Sequence, residues 1–202
     1  MTRRVRPASP GDRERILDVV EAAFVTEPAF GHFFGADYAD HARTFLAFLL
    51  DLRLLGGRVW VEEMDGLVVS ASLWDPPGGP TLGAHEQEAL WRAAANAFGP
   101  VIEARLDAYE GAVHDLAPQG PHYYLGVIAS DPSARGRGHG AAVLRPGLEA
   151  ADSAGLQTYL ETGTEANVGF YERFGFAVSS EITLDDATRI WCLTRPPATA
   201  LG

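Results

Sequence analysis

The chain has 202 residues, a length typical of one globular domain, and 47% of them are hydrophobic while 21% are charged. That balance excludes a disordered chain, and the single cysteine, Cys192, excludes an internal disulfide. Acidic residues outnumber basic ones by 27 to 16, which gives a formal charge of −11. A general binder of nucleic acid or of anionic membranes is therefore not expected, because both need a positive surface.

No targeting or membrane segment is expected from the sequence. The basic start, Met1–Arg6, is followed by polar residues rather than by an apolar run, so no secretory signal is predicted. No stretch approaches the ~18 consecutive apolar residues that a membrane-spanning helix needs. We expect a cytoplasmic protein without a membrane or nucleic-acid partner, either a monomer or a homodimer.

The first part of the chain has patterns typical of both helices and strands. Apolar residues at helical spacing, such as Ile16, Val20 and Phe24, predict the first helix, and Asp65-Gly66 between two apolar runs predicts a hairpin. The predicted elements are a strand at 3–7, a helix over about 12–25, an aromatic loop with Phe30, His32, Phe33 and Phe34, a helix over about 38–55 ended by Gly56-Gly57, and strands at 58–63 and 67–74.

The second part alternates strands and helices after a loop rich in proline and glycine. The predicted elements are that loop at 75–80, a helical region at 85–114 broken near Gly99-Pro100, a strand at 122–130, a helix to about 153, a strand at 156–161, a helix at 166–174, and strands at 176–183 and 188–194. This order predicts an α+β fold with a mixed sheet, organised as a single domain over 1–202.

One loop carries the strongest chemical signal, Arg135-Gly136-Arg137-Gly138-His139-Gly140-Ala141. It follows a predicted strand and opens a predicted helix. The glycines let the backbone approach a ligand, and the helix N-terminus adds partial positive charge. The two arginines make the loop locally positive in a protein whose formal net charge is −11. The loop therefore predicts a site for a ligand that carries phosphate.

The loop does not match the common nucleotide motifs well. It lacks the Gly-Lys-Ser/Thr of a Walker loop. A dinucleotide fingerprint would want an acidic residue about 20 positions on, where Glu161 stands, but the glycines run GxGxG rather than GxGxxG. A plain glycine-rich turn remains the structural alternative.

Two segments together resemble a known superfamily. Arg135-x-x-Gly138-x-Gly140 resembles the acyl-CoA pyrophosphate loop of the GNAT superfamily of N-acyltransferases, and Asn167-x-x-Phe-Tyr171-Glu-Arg-Phe-Gly-Phe resembles its second signature. They occur in the family order, about one βα unit apart. Within the superfamily, the stretch 123–196 is most similar to the puromycin N-acetyltransferases, whereas the N-terminal half matches only in layout.

The resemblance implies a fold and a set of roles. The fold would be a mixed, largely antiparallel sheet of six or seven strands, flanked by helices and splayed where CoA enters. Acetyl-CoA would be the co-substrate, with no metal. Tyr171 would be the general acid that protonates the leaving thiolate. The implied acetyl-CoA contacts are the main chains of Ile128 and Ser130, the Asn167 side chain, and the backbone N–H groups of Arg135, Gly136, Arg137, Gly138, His139, Gly140 and Ala141.

Several residues keep alternative interpretations open. Glu62, Glu161 and His122 are candidates for the general base, and each has a structural interpretation as well. The side chain of His139 is expected to face solvent while its N–H binds the ligand. Cys192, in a predicted strand, is expected to be a buried and inert thiol.

The sequence predicts an N-acetyltransferase that acts on the primary amine of a small molecule, antibiotic-like or a metabolite, by direct attack in a ternary complex. Two alternatives stay open: an acetyltransferase of protein N-termini or lysines, and a CoA-binding sensor without catalysis. The acceptor is expected to be set by the N-terminal half and by the segment 78–121, which carry no motif.

Overall fold

A computed structural model of the chain describes residues 2–54, 58–78, 83–184 and 187–198. The strands are β1 (Arg3–Pro7), β2 (Val59–Met64), β3 (Leu67–Asp75), β4 (Tyr123–Ser130), β5 (Thr158–Thr162), β6 (Ala177–Thr183) and β7 (Arg189–Arg195). The α-helices in these ranges are α1 (Arg13–Phe24), α2 (Pro28–Phe34), α3 (Tyr38–Leu54), α4 (Ala84–Ala95), α5 (Pro100–His114), α6 (His139–Ser153) and α7 (Glu165–Glu172).

The strands form one sheet in the order β1-β2-β3-β4-β5-β7-β6. The β4–β5 pair is parallel and the other pairs are antiparallel. The α+β class and the mixed, largely antiparallel sheet predicted from the sequence are confirmed. The β2–β3 hairpin turns at Asp65 and Gly66, with φ of 50° and 87°, the left-handed pair that this type of turn requires. The predicted stop at Gly56-Gly57 and the end of the loop at 79–80 lie outside the described residues.

The aromatic segment predicted as a loop is a helix, and that prediction was wrong. Its first turn is capped by the Glu27 carboxylate, which accepts hydrogen bonds from the N–H groups of Ala29 at 2.7 Å and Phe30 at 3.3 Å. Pro28 occupies the first helical position, where its missing N–H costs nothing. The helix directs Phe30, Phe33 and Phe34 into the core.

Two hydrophobic clusters cover the two faces of the sheet. Leu73 belongs to the cluster packed by α1, α2 and α3, whereas its neighbour Trp74 belongs to the cluster packed by α6 and α7, because successive strand residues point to opposite faces. Helix α6 lies close to the sheet at Gly147, where an added Cβ would fall 2.1 Å from the Trp74 ring. The Ser72 hydroxyl donates to the Val143 carbonyl at 2.7 Å and fixes the same contact.

The sheet opens between its two parallel strands. β4 and β5 pair only at Tyr123–Thr158 and Tyr124–Tyr159, near the start of each strand. Past that point β4 has no strand partner on its β5 side within the described ranges. On its other side, the register with β3 shifts between Leu73 and Trp74, which leaves Gly126 as the extra residue of a β-bulge. Splay and bulge together make an opening through the sheet.

No helix in the described residues is long and apolar enough to cross a membrane.

Candidate functional site

The glycine-rich loop lies at one side of the opening. Residues 135–138 are exposed, and Gly136 and Gly138 have φ of 77° and 82°, a region in which residues with a side chain are strained. Gly138 is the N-cap of α6, which is 15 residues long. The first turn of α6 therefore presents free N–H groups next to two exposed arginines. This is the chemistry of an anion site, and it fits a pyrophosphate.

His139 is buried, so the expectation that its side chain faces solvent was wrong. Its Nδ1 lies 2.7 Å from Oε2 of Glu62 on β2, and Arg3 on β1 donates to Oε1 of the same carboxylate at 2.7 Å. The physical reason is helical spacing: His139, Val143 and Gly147 share the face of α6 that packs on the sheet. The Glu62 pair thus fixes the start of α6 to the first two strands.

The three candidates for a general base lie in different surroundings. Glu62 is held between His139 and Arg3 and does not line the cavity. His122 precedes β4, and its Nδ1 contacts the Gly120 carbonyl at 2.9 Å, next to a shallow surface depression. Only Glu161, of these three, lines the cavity that leads to the opening. Geometry therefore leaves Glu161 as the candidate that can reach a bound substrate.

A cavity of about 660 Å³ lies on the opposite side of the sheet from α6 and reaches the opening. Aromatic and aliphatic side chains from six helices, α1 to α5 and α7, line most of it, and Trp91 and Leu106 come from the segment inserted between β3 and β4. The aromatic lining residues are Phe24, Phe30, Phe33, Phe45, Phe48, Trp91, Tyr109, Tyr124 and Tyr171. Segments without any motif thus build most of the wall.

The structure brings three of the predicted site residues to this cavity. Ile128, Asn167 and Tyr171 line it where the sheet opens, whereas Ser130 and the loop 135–141 lie beyond, at the end of β4. Asn167 is held by its amide, which donates to the Thr162 hydroxyl at 3.1 Å. The Ser130 hydroxyl lies 2.9 Å from the Ser70 hydroxyl of the neighbouring strand.

Tyr171 is 5% exposed and sits in the second hydrophobic cluster. Burial raises the pKa of its phenol well above the ordinary value, and the nearby Glu27 carboxylate adds to the shift. The hydroxyl therefore stays protonated throughout the neutral range. A protonated phenol beside the opening can give a proton to an anion that forms there.

The polar part of the cavity wall is acidic. Five carboxylates and one arginine belong to the described lining: Glu27, Asp75, Asp107, Glu110, Glu161 and Arg53. Asp75 is neutralised by Arg53, at 2.6 Å. Asp107 and Glu110 are exposed on α5 and form no ion pair within the described residues. The wall therefore favours a positively charged ligand.

Glu161 has a raised pKa. Its Oε2 accepts a hydrogen bond from the Tyr124 hydroxyl at 2.8 Å, and no cation pairs with it in the described part of the chain. Burial raises the pKa of the carboxyl to about 7; the Tyr124 hydrogen bond works against this shift, and the Glu110 charge adds to it. Glu161 is thus divided between its two protonation states near neutral pH.

Two further groups hold the opening in shape, and sequence reasoning missed both. The Glu27 carboxylate, besides capping α2, accepts from the Gly163 N–H at 3.0 Å and so ties α2 to the end of β5. Arg53 is 5% exposed, and its guanidinium lies under the bulge, where a Cβ on Gly126 would be 2.7 Å from Nη2. For Glu27, the local sequence signal was the Glu-Pro pair before the aromatic residues, which is typical of a helix start.

Cys192 is buried, as expected, and burial raises the pKa of its thiol, so no thiolate chemistry is indicated. Among the described residues, no group of three or more histidine, cysteine, aspartate or glutamate side chains is arranged to hold a metal ion.

Comparison with known proteins gives a family match and several related folds. A sequence profile described as "Acetyltransferase (GNAT) family" matches residues 66–176, more than half of the chain. A structure described as histone acetyltransferase HPA2 and related acetyltransferase, from Corynebacterium glutamicum, is 25% identical with a TM-score of 0.75, over 100% of both chains.

Two more distant structures share the fold. The polyamine N-acetyltransferase of Drosophila melanogaster is 17% identical with a TM-score of 0.64, over 96% of this chain and 100% of that one. The ribosomal-protein-S18-alanine N-acetyltransferase of Escherichia coli is 14% identical with a TM-score of 0.57, over 98% of this chain and 96% of that one.

Proposed function

Because the chain belongs to the GNAT family of acyl-CoA-dependent N-acetyltransferases, we propose that it acetylates the primary amine of a small, positively charged molecule. The observation that carries the proposal is the cavity of about 660 Å³ behind the opening in the sheet. Its aromatic wall and acidic groups suit an ammonium attached to an apolar body. An enzyme that modifies proteins would need an open groove for the peptide backbone.

The side of α6 fits the co-substrate. We propose that the backbone N–H groups of Arg135–Ala141 hold the pyrophosphate of acetyl-CoA. Gly136 and Gly138 have positive φ angles, which glycine adopts without strain. The main chains of Ile128 and Ser130 and the amide of Asn167 would hold the pantetheine arm in the splay. The Ile128 N–H would polarise the thioester carbonyl, a role that the resemblance to the family implies and that would stabilise the negative charge developing on its oxygen.

Tyr171 is proposed as the general acid. It lines the cavity where both substrates would meet, and its phenol stays protonated at neutral pH. Since a thioester is already activated, the reaction needs no covalent enzyme intermediate. The amine would attack directly while both substrates are bound, and Tyr171 would protonate the departing thiolate.

The acceptor class can be stated more narrowly. The resemblance of 123–196 to the puromycin N-acetyltransferases favours an antibiotic-like amine with an aromatic part, and the aromatic cavity suits such a body. The acceptor wall, however, comes mostly from α2–α5, outside the resembling stretch. We also propose that 1–202 form one domain, because both halves of the chain contribute residues to one cavity.

A protein or peptide acetyltransferase is the second candidate. The Escherichia coli structure named above carries a protein substrate in its name, and its fold is similar. Against this candidate stands the cavity wall to which α4 and α5 contribute Trp91, Leu106 and Tyr109.

The test is free-thiol release from acetyl-CoA with a panel of amines: puromycin, phenethylamine, aminoglycosides, polyamines, amino acids and short peptides. The proposal expects turnover with one or more small amines and little with peptides. Turnover with peptides alone supports the second candidate. No turnover with any amine, while acetyl-CoA binding is intact by calorimetry, contradicts the proposed function.

A further inference from the structure

We infer that Glu161 is the general base that deprotonates the acceptor amine, and that Tyr124 is the positioning residue that holds its carboxylate toward the cavity. This assignment rests on the proposed function and deepens it. Three observations carry it: the place of Glu161 in the cavity, its hydrogen bond from Tyr124, and the absence of a counterion in the described residues.

The first observation is location. Glu161 is the fourth residue of β5, the strand that separates from β4 to make the opening. It lines the same cavity as Tyr171 and Ile128. An amine that enters from the acceptor side meets this wall before it reaches the proposed place of the thioester. A base needs that position, on the side from which the nucleophile arrives.

The second observation is orientation. The Tyr124 hydroxyl donates to Oε2 of Glu161 at 2.8 Å, from the neighbouring strand. The Tyr124 ring is stacked on Tyr159, with centroids 6.0 Å apart, so the donor is itself held by packing. A carboxylate has about four acceptor positions, so this hydrogen bond does not use up its capacity to bind an ammonium.

The third observation is the lack of a counterion. Glu62, the other glutamate considered from the sequence, is held by His139 and Arg3. Glu161 has no ion pair in the described part of the chain, so it is free to bind the charge that a substrate brings. The titratable and charged groups that face it are Tyr124 on β4, Tyr159 on β5, Cys192 on β7, Tyr109 and Glu110 on α5, Arg53 on α3 and Glu27 before α2.

These surroundings suit a base at neutral pH. Burial without a counterion raises the pKa of Glu161 to about 7, far above that of an exposed glutamate. A base with a pKa near the working pH combines a large deprotonated fraction with real proton affinity. Glu62 and the exposed carboxylates of the cavity lack that combination of burial, orientation and access.

The proton and electron balance is as follows in the proposed step. The Glu161 carboxylate takes one proton from the R–NH₃⁺ acceptor, which frees the nitrogen lone pair. That pair forms the C–N bond to the thioester carbon, and the C–S bond breaks with its electrons on sulfur. Tyr171 gives its proton to the thiolate. The attacking nitrogen then loses a second proton, and this proton returns the Tyr171 phenolate to its neutral form. Glu161 releases its proton to solvent, so each turnover yields amide, free thiol and one H⁺.

The kinetic test uses Glu161→Gln with phenethylamine and acetyl-CoA between pH 5 and 10. Wild type should lose kcat/KM as pH falls through about 7, because the base is protonated there. The variant should lose about 10²–10⁴-fold at pH 7. It should also lose this acid limb and rise steadily toward pH 10, because only amine already deprotonated in solution reacts. An unchanged acid limb with a loss below about fivefold overturns the assignment.

Two matched variants separate a catalytic role from a structural one. Glu103→Gln makes the same change of charge on the exposed face of α5, outside the cavity, and should leave kcat/KM and its pH profile unchanged. Tyr124→Phe removes the hydrogen bond that favours the charged carboxylate, so it should move the acid limb to higher pH while the acetyl-CoA Kd stays within about twofold. An acid limb that Tyr124→Phe does not move overturns the positioning role.

A second readout does not depend on turnover. In protein labelled with ¹³C at glutamate carboxyl carbons, the resonance absent from Glu161→Gln should titrate near pH 7 and shift when phenethylamine is added. Titration below about pH 5, or no response to the amine, overturns the assignment. Absence of turnover by wild type with every amine of the panel contradicts the proposed function instead, so the two failures are distinguishable.

Discussion

The two sides of the sheet opening are built by different means. On the side of α6, the proposed acetyl-CoA site consists largely of main-chain groups, and its main elements lie in one stretch, from β4 to the start of α6. On the other side, the acceptor cavity consists of side chains from α1 to α5, α7, β4 and β5, spread from Phe24 to Tyr171. The first depends on backbone conformation and the second on side-chain identity.

This difference teaches how each side should respond to change. A backbone site is sensitive to the few positions that need glycine and tolerant elsewhere. A side-chain cavity should accept many substitutions, each of which alters which molecule fits. Substitutions on one side should therefore leave the binding step of the other side intact, and Tyr171, at the junction, should affect the chemical step alone.

The largest effect is expected at the junction, with Tyr171→Phe. The change removes only the hydroxyl, so kcat should fall by about 10²–10³-fold through loss of the acid, while acetyl-CoA Kd and acceptor KM change little. Pre-steady-state and steady-state thiol release, with calorimetry for acetyl-CoA, measure the three quantities. An unchanged kcat would remove Tyr171 from the mechanism, and a large rise in either binding constant would make it a binding residue.

The next effect is expected on the backbone side, with Gly138→Asp. Gly138 has φ of 82°, which strains any residue with a side chain, and the new carboxylate would repel a pyrophosphate at the α6 N-terminus. Acetyl-CoA Kd should rise by about 30- to 100-fold, with unchanged acceptor binding where that can be measured alone. Arg137→Gln changes the charge by the same one unit without backbone strain and should give a smaller rise. Wild-type affinity in Gly138→Asp would mean that the loop is not the acetyl-CoA site.

A smaller and complementary effect is expected on the side-chain side, with Trp91→Ala. Trp91 contributes an aromatic surface to the acceptor cavity from the inserted helix α4. Its loss should raise KM for phenethylamine about tenfold and leave the acetyl-CoA Kd unchanged. His85→Ala, at the exposed start of the same helix and outside the cavity lining, should leave both constants as they are. A shift in acetyl-CoA affinity with Trp91→Ala would break the separation of the two sides.

The smallest effect concerns stability, and it links Glu161 to the fold. Its pKa is raised to about 7 in the folded protein, so the folded state binds the proton more tightly than the unfolded one. Glu161 therefore reduces stability as pH rises from about 4.5 to 7, and the full penalty is present above 7. Glu161→Gln should be more stable than wild type at pH 8 by about 1 kcal/mol, or roughly 2–4 °C in Tm, after allowance for partial exposure, and should equal it at pH 4.5. Equal melting temperatures at pH 8 would mean that the carboxyl is well solvated.

Local pattern was sufficient for most of the fold. The hairpin at Asp65-Gly66, the break at Gly99-Pro100 and the glycine loop each place their own signal in a few adjacent residues, and the structure has the corresponding elements there. Helix α2 was predicted as a loop because its aromatic residues have no polar face to mark a period. Its cap, Glu27-Pro28, was the available signal, and it marks the start of a helix rather than a hydrophobic face.

The candidate site was only partly predictable, because its decisive contacts join distant residues. Glu62 and Glu161 look alike in sequence, and both follow apolar residues in strands. What separates them is the partner across the fold: His139 lies 77 positions from Glu62, and Tyr124 lies 37 positions from Glu161. The Arg53–Asp75 pair under the Gly126 bulge has the same origin. No local pattern carries such contacts.

The segment inserted between β3 and β4, which supplies part of the wall of the acceptor cavity, begins and ends at neighbouring points of the sheet. It leaves at Asp75, the last residue of β3, and returns at the start of β4, where Tyr124 is the direct partner of Asp75. The two junctions are thus one strand spacing apart, about 5 Å. A cassette of different length and sequence could replace 76–122 without altering the register of β3 and β4. The scaffold is therefore suited to exchange of this segment, with the acetyl-CoA side kept as a constant part.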